Sequence, residues 1–328
     1  PPRSTLFPYT TLFRSNVTLA EPKKLFHEDN FARAPQLNMV FPVPEMMTDD
    51  SYALDVLAQL LGSGKKSPMY KVLVKEQKLT SAVSVYNNSK ELAGEFQITI
   101  TANQDTSLDK VEKAIFESFE KFEREGFTNN DLERIKARLE TDFYNRISSV
   151  MYKSFMLAMY DVMAGSPDYL VKELEMMKKV TRQDVMDAYN RYIKGKNYVA
   201  TSFVPKGKID LIAANSVAAG VVEEDIANAT QMEVADTGEE VIVKTPSKVD
   251  RSVAPLPGPD PVVNIPAIWH GGAINGMKIH GIEQHELPLI NYSVVIKGGH
   301  MLDDISKPGV ARFTAQMLNE GTRNKTPE

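Results

Sequence analysis

The sequence predicts an α+β fold, with helices laid on one face of a mainly antiparallel sheet, and three observations carry that expectation. Segments of alternating apolar residues flank segments with apolar residues at helical spacing, in the order strand, helices, hairpin, helices, returning strand. Two helix starts carry a Thr followed three positions later by an Asp, Thr128 with Asp131 and Thr181 with Asp184. Glycines close two of the helical periods, at Gly62 and Gly126.

Taken in order, "RAPQLNMVFPVP" reads as an edge-limited strand, with Leu37, Met39 and Phe41 alternating before Pro42 and Pro44 end it. "DDSYALDVLAQLLGSG" reads as a helix: Asp49 and Asp50 suit its start, and Leu54, Leu57, Leu60 and Leu61 form its apolar stripe. A short helical piece around Met69 to Glu76 precedes two alternating strands, "TSAVSVYNN" and "LAGEFQITITAN", joined by a polar turn. Leu108, Val111, Ile115, Phe119 and Phe122 then recur at helical spacing, as do Leu132, Ile135, Leu139, Phe143 and Ile147. After the helix opened by Thr181, the strand "NYVATSFVP" returns to the sheet.

The texture changes beyond Pro205. "VEEDIANATQMEVADTGEE" is acidic and "APLPGPDPVVNIP" is proline-rich, the composition of a semi-rigid, solvated connector. "AINGMKIHGIEQHELPLINYSVVIKGGH" reads as a new run of strands, and "SKPGVARFTAQMLNEG" as a helix with Pro308 in its first turn and Gly321 past its end. The expected division is 1–15 foreign, 16–34 connector, 35–206 first domain, 207–262 linker and 263–328 the truncated start of a second domain. Residues 1–15 fit no helical or strand period and lack the apolar core of a signal peptide. They resemble, without a gap, the translation of a widely used sequencing adapter, so they are set aside and both chain ends are expected to be cut.

A chain of 328 residues is long enough for about two domains. Its 42% hydrophobic and 25% charged content is that of a globular protein. The net charge of −5 argues against a nucleic-acid binder, and no apolar run approaches a bilayer span. Absence of cysteine excludes disulfides, thiolate catalysis and Cys-ligated zinc within this chain.

Two apparent motifs dissolve under inspection. "LGSGKKS" lacks the first glycine of a phosphate loop and trails a helix rather than preceding one, so it reads as a helix end. "HGIEQH" places His280 and His285 five apart; on a strand they face opposite sides, and Gly281 and Pro288 argue against a helix, so they read as exposed strand and loop histidines rather than a zinc pair.

Two longer stretches carry a family resemblance. "LLGSGKKSPMYKVLVKEQKLTSAVSVY" resembles the "LLGGGxSSRLFxxLREKxGLAYSVxAY" segment of insulinase/pitrilysin-type zinc metallopeptidases, the inverzincins with the signature H-x-x-E-H. "ELPLINYSVVIKGGHMLDDISKPGVARFTAQMLNEGTRNKTPE" resembles the opening of that family's zinc-bearing domain, "AGLAHFLEHMLFxGTxxRTPE". The resemblance implies an insulinase-like domain, a linker and the start of a second such domain, within a clamshell that encloses a peptide. It also implies that the metal helix is degenerate here: Arg312 and Gln316 stand for the ligand histidines, and Ala315 for the glutamate. Arginine is a fixed cation, and alanine cannot take a proton from a metal-bound water. The family's substrate-binding Arg and Tyr fall on Val74 and Ser81.

The implied function is a non-catalytic middle portion of a zinc-dependent peptidase, forming part of the peptide chamber. No catalytic residue, no metal and no cofactor are expected in this chain, and zinc is expected in the parent. Peptide or unfolded polypeptide and other domains of the same chain are the implied partners, in a bacterial periplasmic setting. The alternative is an inactive partner or core-type structural subunit related to processing peptidases.

Overall fold

The computed structural model describes residues 18–221, 252, 254, 256, 258–260, 262 and 265–327. The stretch read as adapter-derived and positions 222–251 of the expected linker lie outside the described residues. The chain divides into two compact units, Pro1–Gly220 with Leu289–Glu328, and Val221–Pro288; each is taken by itself.

In the larger unit a six-stranded sheet is built from β1 (Lys23–Asp29), β2 (Gln36–Val43), β3 (Ser84–Ser89), β4 (Gly94–Thr101), β5 (Val199–Pro205) and β6 (Val217–Ala218), in the spatial order β3-β4-β2-β5-β1-β6. The β3/β4, β4/β2 and β2/β5 pairs are antiparallel, and β1 joins β5 and β6 in parallel. The expected mixed fold with a mainly antiparallel sheet is what forms.

Period-2 alternation decides which face is covered. Leu37, Met39 and Phe41 of β2, Phe96, Ile98 and Ile100 of β4, and Ala200 and Val204 of β5 are buried, and their neighbours in sequence point to the other face. Against the apolar face pack α1 (Asp49–Gly62), α2 (Leu108–Glu125) and α6 (Arg182–Tyr192). Helix α3 (Asn129–Ser148), α4 (Val150–Ala164) and α5 (Tyr169–Lys179) complete the helical layer.

Local chemistry fixes the helix ends. Thr128 and Asp131, and likewise Thr181 and Asp184, form reciprocal capping boxes, satisfying two otherwise orphaned donors at each start. Gly126 adopts φ +63 at the end of α2, a left-handed conformation that costs a side chain strain. Helix α1 spans the stretch expected of it and approaches β3 closely: a Cβ on Gly62 would lie 2.4 Å from Val85 Cγ2.

Several expectations are corrected. β2 is not an edge strand but lies between β4 and β5. Pro42 is tolerated because β5 pairing stops at Val40↔Val199, so its missing N–H interrupts no ladder on that side. Within 16–34, expected to be a connector, β1 is part of the sheet, paired to β5 along its whole length. Within 207–262, expected to be linker, Leu211 and Ala213 are buried and β6 adds to β1. The helical block after Ile147 is two further helices, divided at Ser149 and Gly165.

In the smaller unit β7 (Ile268–Gly272) and β8 (Lys278–Ile282) form an antiparallel hairpin. Its loop closes with Gly276 N–H donating to Ala273 O at 2.9 Å, and Gly276 takes φ +82. Residues 289–298, expected to continue as strands, contain none and are largely exposed. Helix α7 (Val310–Met317) follows; Pro308 precedes it rather than sitting in its first turn, and Gly321 lies past its end.

Candidate functional site

Helix α7 bears the three positions at which the family resemblance implies a degenerate metal motif. Arg312, Ala315 and Gln316 are all exposed, and α7 packs mainly on the short 3-10 turn Gly299–Leu302. Val74 is half-buried in a π-helical stretch, Tyr70–Glu76, and Ser81 is exposed beyond it. These positions therefore lie on separate elements, and their side chains offer a guanidinium, an amide, a hydroxyl and two alkyl groups. Among the described residues no group of three or more His, Asp or Glu side chains is arranged to hold a metal.

The uncovered face of the sheet is the larger candidate. From β3 to β5 it presents Tyr86, Glu95, Gln97, Thr99, Gln36, Asn38 and Thr201, a band that is polar because these are the alternate positions to the buried set. Its side chains are already linked across strands: the Tyr86 hydroxyl donates to Gln97 Oε1 at 2.5 Å, Gln97 Nε2 to Glu95 Oε2 at 2.6 Å, and Thr101 Oγ1 to Gln36 Oε1 at 3.2 Å. At one end of this face a cleft of about 720 Å³ opens beside Leu19, Val40, Pro42, Leu92, Tyr192 and Val199. Among the described strands β3 is an edge, pairing with β4 alone. The face thus offers open backbone groups along the outer edge of β3 and amide and hydroxyl side chains across the sheet.

A second cluster lies between α1, α5 and β3. A cavity of about 180 Å³ is lined by Asp55, Tyr52, Asn87, Tyr160 and Glu173. Asn87 Nδ2 donates to Asp55 Oδ1 at 3.0 Å and to the Ser51 carbonyl at 3.2 Å. The Tyr160 hydroxyl donates to Glu173, and the Tyr52 and Tyr169 hydroxyls meet at 3.1 Å. Burial pushes the Asp55 carboxyl up to about 7, with the Asn87 hydrogen bond working against it and the Glu173 charge reinforcing it. Burial also raises Glu173, partly offset by Arg146. The two carboxyls, kept toward their neutral forms, tie different neighbours: Asp55 joins α1 to β3 through Asn87, Glu173 joins α5 to α4 through Tyr160, and the Tyr52–Tyr169 hydroxyl contact links α1 to α5. Sequence reasoning passed over both; an Asp at position 55 inside the apolar run from Ala53 to Leu61 was the available signal.

Comparison with known proteins follows from this geometry. Residues 7–139 match the family model of the peptidase M16 inactive domain. A zinc protease, PqqE of Helicobacter pylori, is 27% identical over 157 residues, which is 47% of this chain and 34% of the relative's length. The chain thus spans only that third of the relative. Among solved structures, a protease from Helicobacter pylori superposes with a TM-score of 0.50 at 20% identity, over 58% of this chain and 46% of the other. A peptidase M16 inactive domain from Pseudomonas fluorescens gives 0.46 at 19%, over 58% and 45%. The resemblance to zinc metallopeptidases of the insulinase type is borne out, and with it the fold. No helix among the described residues is long and apolar enough to cross a membrane.

Proposed function

This chain carries an inactive domain of the M16 peptidase type, related to zinc proteases, and from that premise we propose that it forms a non-catalytic wall of a peptide-enclosing chamber. The observation that supports this reading most is the uncovered sheet face. A band of Thr, Asn, Gln and Tyr side chains beside β3, whose outer edge has no strand partner among the described residues, suits contact with the backbone of an unfolded chain without selecting one sequence.

Hydrolysis is assigned elsewhere in the parent protein. A zinc peptidase needs neutral imidazoles or carboxylates on the metal and a base to deprotonate its water. Arg312, Ala315 and Gln316 supply neither, and Val74 and Ser81 cannot grip a substrate carbonyl as an Arg and a Tyr would. Zinc therefore belongs to a partner domain of the parent, and this chain's task is to hold the peptide extended and to exclude water around it. A bacterial periplasmic location is part of the same proposal.

A photo-crosslinking residue placed at Thr99 or Asn38 in the complete parent tests the wall directly. Capture of a bound unfolded peptide from these positions, and none from Glu117 on α2, is the expected outcome. Equal labelling at all three sites rejects the assignment. An intact parent that is inert toward peptides yet holds a second subunit tightly favours a structural-subunit role instead.

A further inference from the structure

The hairpin of the smaller unit brings together two histidines that the sequence separates by ten positions. His270 and His280 are directly paired across β7 and β8, and both are exposed. Their Nδ1 atoms lie 2.7 Å apart, with ring centroids 4.9 Å apart and planes at 82°. One ring must donate its Nδ1–H to the lone pair of the other, so two imidazole lone-pair positions converge on one point.

We propose that His270 and His280 form a surface chelate for a late first-row divalent cation, Cu2+ ahead of Ni2+ or Zn2+. Metal–imidazole bonds of about 2.0–2.1 Å ask for nitrogens about 2.9 Å apart at the cis angle of tetragonal Cu2+ and about 3.3 Å apart in tetrahedral Zn2+. The rings open from 2.7 Å by rotation of exposed side chains, without backbone movement. Tautomers allow this: the hydrogen on the donating Nδ1 moves to that ring's own Nε2, and the metal takes both freed Nδ1 lone pairs with no net loss of a proton. Imidazole donors rank Cu2+ highest among such cations. The chain has no cysteine to compete for it.

The register of the hairpin holds the pair in place. Trp269 pairs with Gly281 and lies so close over it that a Cβ there would meet the indole at 2.2 Å. This packing pins adjacent positions of the same two strands. No third His, Asp or Glu completes the set among the described residues, and Lys278 stands two residues from His280. The remaining coordination positions are left to solvent, which makes the site exchangeable rather than structural. His285, considered from sequence as the partner of His280, has instead Glu283 at 3.6 Å. This chelate is separate from the family's zinc position and departs from the expectation of no metal in this chain.

Trp269 is the only tryptophan and neighbours the pair, so its fluorescence reports on a nearby paramagnetic ion. Cu2+ titrated into the full chain at pH 7.5 is expected to quench Trp269 saturably, at one equivalent, and EDTA to reverse it. His270→Gln and His280→Gln each weaken the apparent affinity by about tenfold or more, since each removes one arm of a chelate. His285→Gln leaves it unchanged. Excess free imidazole added to the wild-type chain abolishes the saturable phase by competing for the cation, and this arm needs no variant to fold. Quenching that never saturates, survives excess free imidazole, or is indifferent to His270→Gln overturns the proposal.

Discussion

Glu112 is the most consequential buried charge. It is 4% exposed on α2, accepts from Lys24 Nζ at 2.7 Å and from the Tyr198 hydroxyl at 2.7 Å, and so ties β1 to the helical layer. Removing the cation alone leaves a carboxylate stranded away from water. Lys24→Met is therefore expected to cost about 3 kcal/mol in denaturant unfolding, and Lys24→Met with Glu112→Met to recover most of it. Gly62 supplies a second test, because Gly62→Ala drives a methyl into Val85. A loss of about 1–3 kcal/mol is expected, although alanine favours helix over glycine by itself. Neither contact was legible in the sequence. Lys24 and Glu112 are 88 positions apart, and Gly62 advertises a helix end rather than a close approach to β3.

Among the elements, the contact that Asp55 and Asn87 make between α1 and β3 responds to pH. The folded chain holds the Asp55 proton up to about pH 7, whereas an unfolded aspartate releases it near 4. Stability is thus expected to fall as pH rises through that window, by up to about 1.4 kcal/mol per pH unit for one proton. The carboxyls of Asp109, Asp131 and Glu123 are lowered, so their effects lie at or below the ordinary carboxylate range, whereas Glu173, raised by burial, acts in the same direction as Asp55. Urea midpoints should be higher at pH 5 than at pH 7.5. Asp55→Asn should reduce that difference while keeping an acceptor for Asn87; an unchanged slope contradicts the role given to Asp55. At this scale the sequence was most readable: both capping boxes, α1 and the β3–β4 hairpin fall where periodicity puts them. β1 escaped notice because "KKLFHED" mixes charged and apolar residues on both faces of an edge-proximal strand, where no alternation marks a core side.

For the whole molecule, composition set the division of the chain and the sheet revised it. The acidic and proline-rich stretch remains where limited proteolysis is expected to cut first. The surviving fragment should extend past Ala218 rather than end near 206, since Leu211, Ala213 and β6 are built into the sheet unit. A stable product ending before Leu211 contradicts that. The candidate peptide face was visible in sequence only as the polar half of alternating strands, without sign of which side would be left uncovered. The proposed catalytic deficit, in contrast, rests on what the family resemblance implies for Arg312, Ala315, Gln316, Val74 and Ser81, identities read from the sequence alone. Peptide cleavage with and without zinc therefore tests the central claim most directly. The purified chain should leave a quenched-fluorescent unfolded peptide intact at every zinc concentration. The complete parent should cleave the peptide in a chelator-sensitive way without Arg312→His, Ala315→Glu or Gln316→His. Zinc-dependent turnover by this chain alone, abolished by a chelator, would contradict the proposed role as a wall.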